Sequence, residues 1–286
     1  MTIARKPRLA APERAITPLE ALQSLLASTS EHESPDFRQA KRILLPLIDG
    51  IERGDPAAFG LVGQPRRDDF TYPRTVHTML IAVAIGHRLG FDRATLSDLA
   101  VAALFHGVGQ DPIVKPEYWG FAGALRITAS TTLNRTTLRA VEVALETHED
   151  AAAPRSVLSQ IVTIAGTYAR LVNTRGDAGR ALTPVQALGA VLGPLATRFD
   201  PALRAALVEA LGIHPPGQFV ELDNGVIALV VAPQAETPAR PIVQIVAKPG
   251  APALREDERP AAGPLPEERS IVRDLAAGET PGLAAA

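Results

Sequence analysis

The chain contains no cysteine, which excludes disulfides, thiolate metal centres and cysteine nucleophiles, and which suits a reducing compartment such as the cytoplasm. Aromatic residues are scarce, at 4% with a single tryptophan. The chain therefore lacks the stacking platforms on which single-stranded nucleic acid is bound. Charge of one sign is also missing: 29 basic residues face 31 acidic ones, a formal net charge of −2. That balance supplies no general attraction for nucleic acid or anionic lipid, so no nucleic-acid partner is expected. No run of 18 uncharged apolar residues occurs, and Arg5, Lys6 and Arg8 are followed by Pro7, Pro12 and Glu13 in place of an apolar signal core. Neither a membrane span nor export is expected.

What the chain does have is aliphatic. Its 286 residues are 46% hydrophobic, enough for one substantial core with a small appendage, and the core must be built from Ala, Leu, Val and Ile. Residues 1–15 mix Arg, Pro and Ala without period and read as a disordered leader. Residues 16–70 read as N-terminal helices and a loop. Thr17-Pro18-Leu19-Glu20 carries the N-cap hydroxyl, the proline at the first helical position and the early carboxylate of a helix start. A second helix from Asp36 carries Ala40, Ile43, Leu44, Leu47, Ile48 and Ile51 on one face, and Pro46 is expected to kink or interrupt it.

Helical periodicity then strengthens over 74–90, 93–106, 135–148, 155–173, 183–195 and 201–211. Asp92, Thr183 with Gln186, and Asp200 before Pro201 act as start signals, and Gly212 as a stop. Residues 71–215 are thus one helical domain. Beyond it, Phe219 to Leu222, the turn Asp223-Asn224-Gly225, Val226 to Val231 and Ile242 to Val246 form a β appendage spanning 216–247, with Asn-Gly as the hairpin signal. The runs are apolar enough that the sheet should lie against the helices. Residues 248–286, rich in Pro, Ala, Gly and Glu, read as a disordered tail. Within it Ile271, Val272 and Leu275 after Pro266-Glu267-Glu268 offer either a two-turn helix for a partner or a few apolar residues in a flexible segment. The fold class is mainly α, a helical bundle with N-terminal helices and a small C-terminal antiparallel β element.

Three segments carry a family pattern. Leu104-Phe105-His106-Gly107-Val108-Gly109-Gln110 ends a helix-turn-helix lead that begins at Thr71. Thr147-His148-Glu149 follows, and Leu211-Gly212-Ile213-His214-Pro215-Pro216-Gly217 runs into the strand pair. Together they resemble the HD-GYP family of the HD-domain phosphohydrolases, helical phosphodiesterases that hydrolyse the bacterial second messenger cyclic di-GMP, over about residues 70–247.

The resemblance implies a site of two or three metal ions held by histidines and aspartates, which activate water and offset charge on the phosphodiester. The sequence departs from that set at most positions. The opening metal histidine corresponds to Arg74, whose guanidinium donates and cannot ligate a cation. His106 keeps the histidine of the His-Asp pair, but Gly107 replaces the aspartate and Gln110 the motif's lysine. Thr147 replaces the first member of the His-His pair and His148 keeps the second. Gly166 falls where a ligand aspartate stands, and Asp150-Ala151-Ala152-Ala153-Pro154 occupies the loop that would carry Gly-Tyr-Pro.

Only the vestigial metal positions His106 and His148 remain. A multinuclear site is not expected, and neither is a resident cofactor. A single divalent metal is conceivable only if His77 or Glu149 substitutes for the missing ligands. His77 reads otherwise as a partly exposed or backbone-bonded histidine and Glu149 as a solvated helix end. Arg74 reads either as half of a structural ion pair or as a cation standing in for the metals, with Arg126 or Arg135 as further phosphate contacts.

The resulting expectation is a catalytically inactive HD-GYP-like protein, a pseudoenzyme serving as a binding or scaffold module for protein partners in cyclic di-GMP-related signalling. The alternatives are an active single-metal phosphohydrolase and a nucleotide sensor that binds without turnover. A homo-oligomer is compatible with either role.

Overall fold

In a computed structural model of the chain, the residues described are 18–30, 35–61, 71–110, 113–130, 133–147, 156–173, 181–234, 236–276 and 279. They form ten α-helices followed by a five-stranded antiparallel sheet. The leader, 1–15, lies outside them.

Helices α1 (Pro18–Ser30) and α2 (Phe37–Glu52) pack as a pair, followed by the short α3 (Pro56–Gly60). The N-cap Asp36 accepts from the Arg38 and Gln39 amides, two donors that no helical carbonyl can reach. Pro46 sits inside α2 without interrupting it. The body consists of α4 (Thr71–Arg88), α5 (Arg93–Phe105), α6 (Trp119–Ser130), α7 (Arg135–Glu146), α8 (Val157–Asn173), α9 (Pro184–Leu192) and α10 (Pro201–Leu211). The central helix α4 packs against α5, α8 and α10. Its residues from Met79 to Ile85 are buried all round, as a helix enclosed by others must be.

The division into N-terminal helices and a helical domain does not correspond to two cores. Leu22, Leu25, Leu44 and Ile48 from α1 and α2 join Leu80, Leu99, Ile161 and Leu207 in one apolar cluster. Phe37 stacks on Phe105 with ring centroids 5.4 Å apart, and the buried Asp98 of α5 fastens α2 and α7 together. Its carboxylate accepts from Thr136 at 2.6 Å and pairs with Arg135 at 2.7 Å and Lys41 at 3.5 Å. A buried carboxylate is stable only when so compensated.

The sheet comprises β1 (Phe219–Leu222), β2 (Ile227–Ala232), β3 (Ile242–Ala247), β4 (Gly263–Pro264) and β5 (Ile271–Asp274), in the order β4-β3-β2-β1-β5. The expected strands are present, joined through a turn with Gly225 at φ +76°, a conformation that costs glycine nothing. Val220, Leu222, Ala228, Val230, Val243 and Leu265 form a second small core, while Ala232 belongs to the helical one.

The expectation of a disordered tail does not hold for residues 248–276, while 277–278 and 280–286 lie outside the described residues. Residues 248–276 run along the sheet and supply both edge strands, and Ile271 to Asp274 is a strand and not a helix. The segment is fixed by Leu265 and Leu275, both buried, by the His214–Asp274 pair at 2.8 Å, and by Gln218 Nε2 donating to the Leu275 carbonyl at 3.0 Å. Both edges are blunted against further pairing, β4 by Pro264 and β5 by a bulge and Arg273. Among the described residues no helix is long and apolar enough to cross a membrane.

Candidate functional site

Of the positions that the resemblance singles out, Arg74, His106, Gly107, Gln110 and Gly166 lie on three neighbouring elements, the first turns of α4, the turn after α5 and the middle of α8. Helix α5 ends at Phe105, and His106 caps it. Tight turns follow, with the Val108 amide bonded to the Phe105 carbonyl and the Gln110 amide to Gly107. Gly109 makes this turn possible. A Cβ there would overlap the Trp119 carbonyl oxygen and the Gly123 amide and lie 2.8 Å from Gly123 Cα, so the turn presses backbone to backbone on α6. Gly107 differs, since a Cβ would meet only the Gln110 side chain, at 3.5 Å. A Cβ at 107 therefore meets no backbone obstacle, in contrast to one at 109.

Arg74, on the first turns of α4, donates from Nη2 to Gln110 Oε1 at 3.0 Å. The residues in the places of the opening histidine and the motif lysine thus bond to each other. His106 is partly buried, with Nδ1 2.7 Å from the Ala103 carbonyl oxygen. A carbonyl can only accept, so Nδ1 carries the proton and Nε2 is the basic nitrogen. Burial lowers the His106 pKa, the Ala103 bond offsets part of that, and the nearby Arg74 charge lowers it further.

One turn along α4, Thr78 donates to the Arg74 carbonyl at 2.8 Å, and its methyl faces Gly166 on α8. A Cβ at Gly166 would stand 3.6 Å from that methyl, ordinary contact. Helices α4 and α8 thus meet here through Thr78 and a bare glycine. The Thr147 hydroxyl donates to the Val143 carbonyl at 2.7 Å, closing the end of α7. His148, Glu149 and the loop 150–154 lie outside the described residues.

His77 is not a substitute ligand. It is buried, and its Nδ1 lies 2.9 Å from Asn173 Nδ2, whose amide also donates to the Ala169 carbonyl. With Nδ1 accepting, Nε2 is the donor to the Leu61 backbone carbonyl, so neither ring nitrogen has a lone pair to offer. Burial pushes its pKa down to about 4, so the ring is neutral and ties the chain after α3 to α4 and α8. The partners Leu61 and Asn173 are too remote in sequence for any local pattern to reveal.

The other arginines considered as phosphate contacts have structural work. Arg126 donates to the Val108 carbonyl at 2.8 Å and to the Thr29 carbonyl, clamping the end of α1 to the turn after α5, and Arg135 pairs with Asp98.

A metal cluster does not fit the described residues of the site. A cationic guanidinium, two glycines, an amide and a hydroxyl bonded within its own helix leave His106 without a carboxylate beside it. Among the described residues no group of three or more His, Asp or Glu side chains could hold a metal ion. A neutral imidazole beside a guanidinium can accept one hydrogen bond and attract an anion, but it cannot assemble a metal-bound nucleophile.

No family model matches the sequence, and no curated protein matches it. Among solved structures it is similar to "Bd1817, a HDG"Y"P protein from Bdellovibrio bacteriovorus", with a TM-score of 0.50, 11% sequence identity, and coverage of 66% of this chain and 67% of that one. Identity so low carries architecture and not chemistry. The chain shares the mainly α-helical fold of an HD-GYP protein, with a small antiparallel sheet at its C-terminal end.

Proposed function

We propose that the chain is a catalytically inactive HD-GYP-like module, acting as a binding or scaffold component for protein partners in cyclic di-GMP-related signalling in the bacterial cytoplasm. The observation that carries this reading is the Arg74–Gln110 hydrogen bond beside a neutral His106. Two positions that would serve metal and phosphate in a hydrolase are joined to each other, and the charge between the helices is a guanidinium. Phosphodiester hydrolysis of the metal-dependent kind needs ions that polarise the phosphate and lower the pKa of water, and a guanidinium bonded to an amide is a poor place to hold them.

The experiment is elemental analysis of the purified protein beside His106→Ala, followed by a cyclic di-GMP phosphodiesterase assay with added divalent metals. Sub-stoichiometric metal and no turnover are expected from both. About one equivalent of metal, with hydrolysis abolished by His106→Ala, would overturn the reading in favour of an altered single-metal phosphohydrolase.

The guanidinium supports a second, narrower reading, nucleotide binding without turnover. It predicts saturable binding of cyclic di-GMP that weakens as salt is raised and is lost in Arg74→Ala.

A further inference from the structure

Helix α6 has an unusual outer face. The chain has 12 aromatic residues, and those whose side chains are described are buried or half-buried, with two exceptions on adjoining turns. Tyr118, in the 3-10 turn (Pro116–Tyr118) leading into α6, is 57% exposed and Phe121 is 60% exposed. Leu125, one helical turn beyond Phe121, is 54% exposed, and Ile113, just before this turn, is 93% exposed. The spacing 118, 121, 125 aligns the three side chains in one stripe. Gly120, Gly123, Ala124 and Ile127 point inward, so the stripe lies opposite the face that packs on the protein.

We infer that this face is the contact between two copies of the chain, with α6 of one copy lying across α6 of the other about a two-fold axis. The first argument is charge. The only charged residue within α6 is Arg126, and it donates to the Val108 and Thr29 carbonyls of its own chain. At the start of the helix Lys115 and Glu117 pair with each other at 4.0 Å. The outer stripe thus offers no net charge for an acidic or basic partner to complement. A neutral apolar stripe is matched by another like it, and a two-fold axis brings identical surfaces together by construction.

The second argument is area. A fully exposed aromatic side chain presents on the order of 200 Å², so Tyr118, Phe121, Leu125 and Ile113 together offer roughly 450 Å² per copy at these exposures. Two copies could bury at most about 900 Å² from these side chains, so that with backbone and rim the contact reaches the roughly 1,000 Å² a specific interface needs. Aromatic anchors are also the residues on which interfaces concentrate their energy. The same helix presses on Gly109 from its inner side, so the interface and the 106–110 turn share one element.

The absence of cysteine makes the test clean. Light scattering on the full chain, over a concentration series, is expected to give a mass approaching twice 30.2 kDa, and Phe121→Asp is expected to return it to the monomer mass with an unchanged helical circular dichroism spectrum. Leu125→Cys, the sole thiol in its chain, is expected to form a disulfide-linked dimer on mild oxidation, while Val272→Cys, exposed on β5, does not. A wild-type monomer at every concentration overturns the inference. So does a dimer that survives Phe121→Asp, or cross-linking that is no faster through Leu125→Cys than through Val272→Cys. Should Phe121→Asp fail to fold, the cysteine pair decides alone.

Discussion

Arg74 Nη2 and Gln110 Oε1 are 3.0 Å apart, joining the start of α4 to the turn after α5 across the place where the HD-GYP pattern would put a histidine and a lysine. A lysine at 110 would repel Arg74, and a histidine at 74 would leave the Gln110 carbonyl without this donor. The two residues suit each other and not the metal chemistry of the family they resemble. For His106 the pair adds to the effect of burial, which is the main cause of its lowered pKa, since the Arg74 charge also disfavours the protonated ring.

The two glycines of the turn differ in what a side chain would meet. Gly109→Ala forces a methyl against the Trp119 carbonyl and the Gly123 amide, backbone atoms that cannot rotate away. It should cost about 2–3 kcal/mol or prevent folding, as overpacking does. Gly107→Ala places its methyl at contact distance from a flexible glutamine and should change stability by less than about 1 kcal/mol. Urea unfolding of both variants checks this, and equal costs would contradict the packing described.

The helices were legible in the sequence wherever apolar spacing and a cap coincided, as at Asp92, Thr183 and Asp200, each of which accepts the expected backbone amide. Helix α6 was not, because Gly120, Gly123 and Thr128 dilute its helix signal and its inner face is chosen by the close approach to Gly109. Strands β4 and β5 were hidden for a related reason. Two and four residues long, they form because β3 and β1 present open edges, and no local period marks them. At the site, the residue substitutions were visible along the chain, while the partners that settle the roles of His77, Arg126 and Arg135 come from distant elements.

His77 should make the protein acid-sensitive. In the unfolded chain the ring takes a proton near pH 6.5, and in the native state near 4. Between those values the unfolded form holds the extra proton, so stability falls as pH drops from about 6.5 to about 4 and is unaffected by this group above or below. The full penalty is about 3 kcal/mol. His106, shifted in the same direction, adds to the slope. Urea midpoints at pH 7.5, 6.0, 5.0 and 4.5 should converge toward a shallower dependence in His77→Gln. An unchanged slope would mean that the ring is not held neutral by the fold.

Ending the chain after residue 262 removes β4 and β5 together with Leu265, Leu275, the His214–Asp274 pair and the Gln218 bond to Leu275. Val220, Leu222 and Val243 lose cover and β1 gains an open edge. A lowered melting temperature, binding of a hydrophobic dye and loss of solubility are expected. A flexible tail could be removed with none of these effects.

On the proposed reading, metal binding should be restorable at the level of side chains, because a Cβ at 107 meets only ordinary contact with Gln110. Gly107→Asp alone brings an anion to the Arg74 guanidinium, and the two should pair without recruiting metal. Arg74→His/Gly107→Asp removes the competing cation and restores an imidazole and a carboxylate at the two positions nearest His106 in the family pattern. Three such ligands with water in the fourth position are the donor set that zinc accepts. The double variant is expected to retain about one equivalent of zinc through gel filtration and to melt higher with metal than with a chelator, by an amount equivalent to roughly 2.7 kcal/mol at a hundredfold excess over Kd. The parent and both single variants should show neither effect. If the double variant folds but takes up no zinc, the helices have moved too far for the old ligands to converge, and the incompatibility with metal resides in the backbone as well as in the side chains.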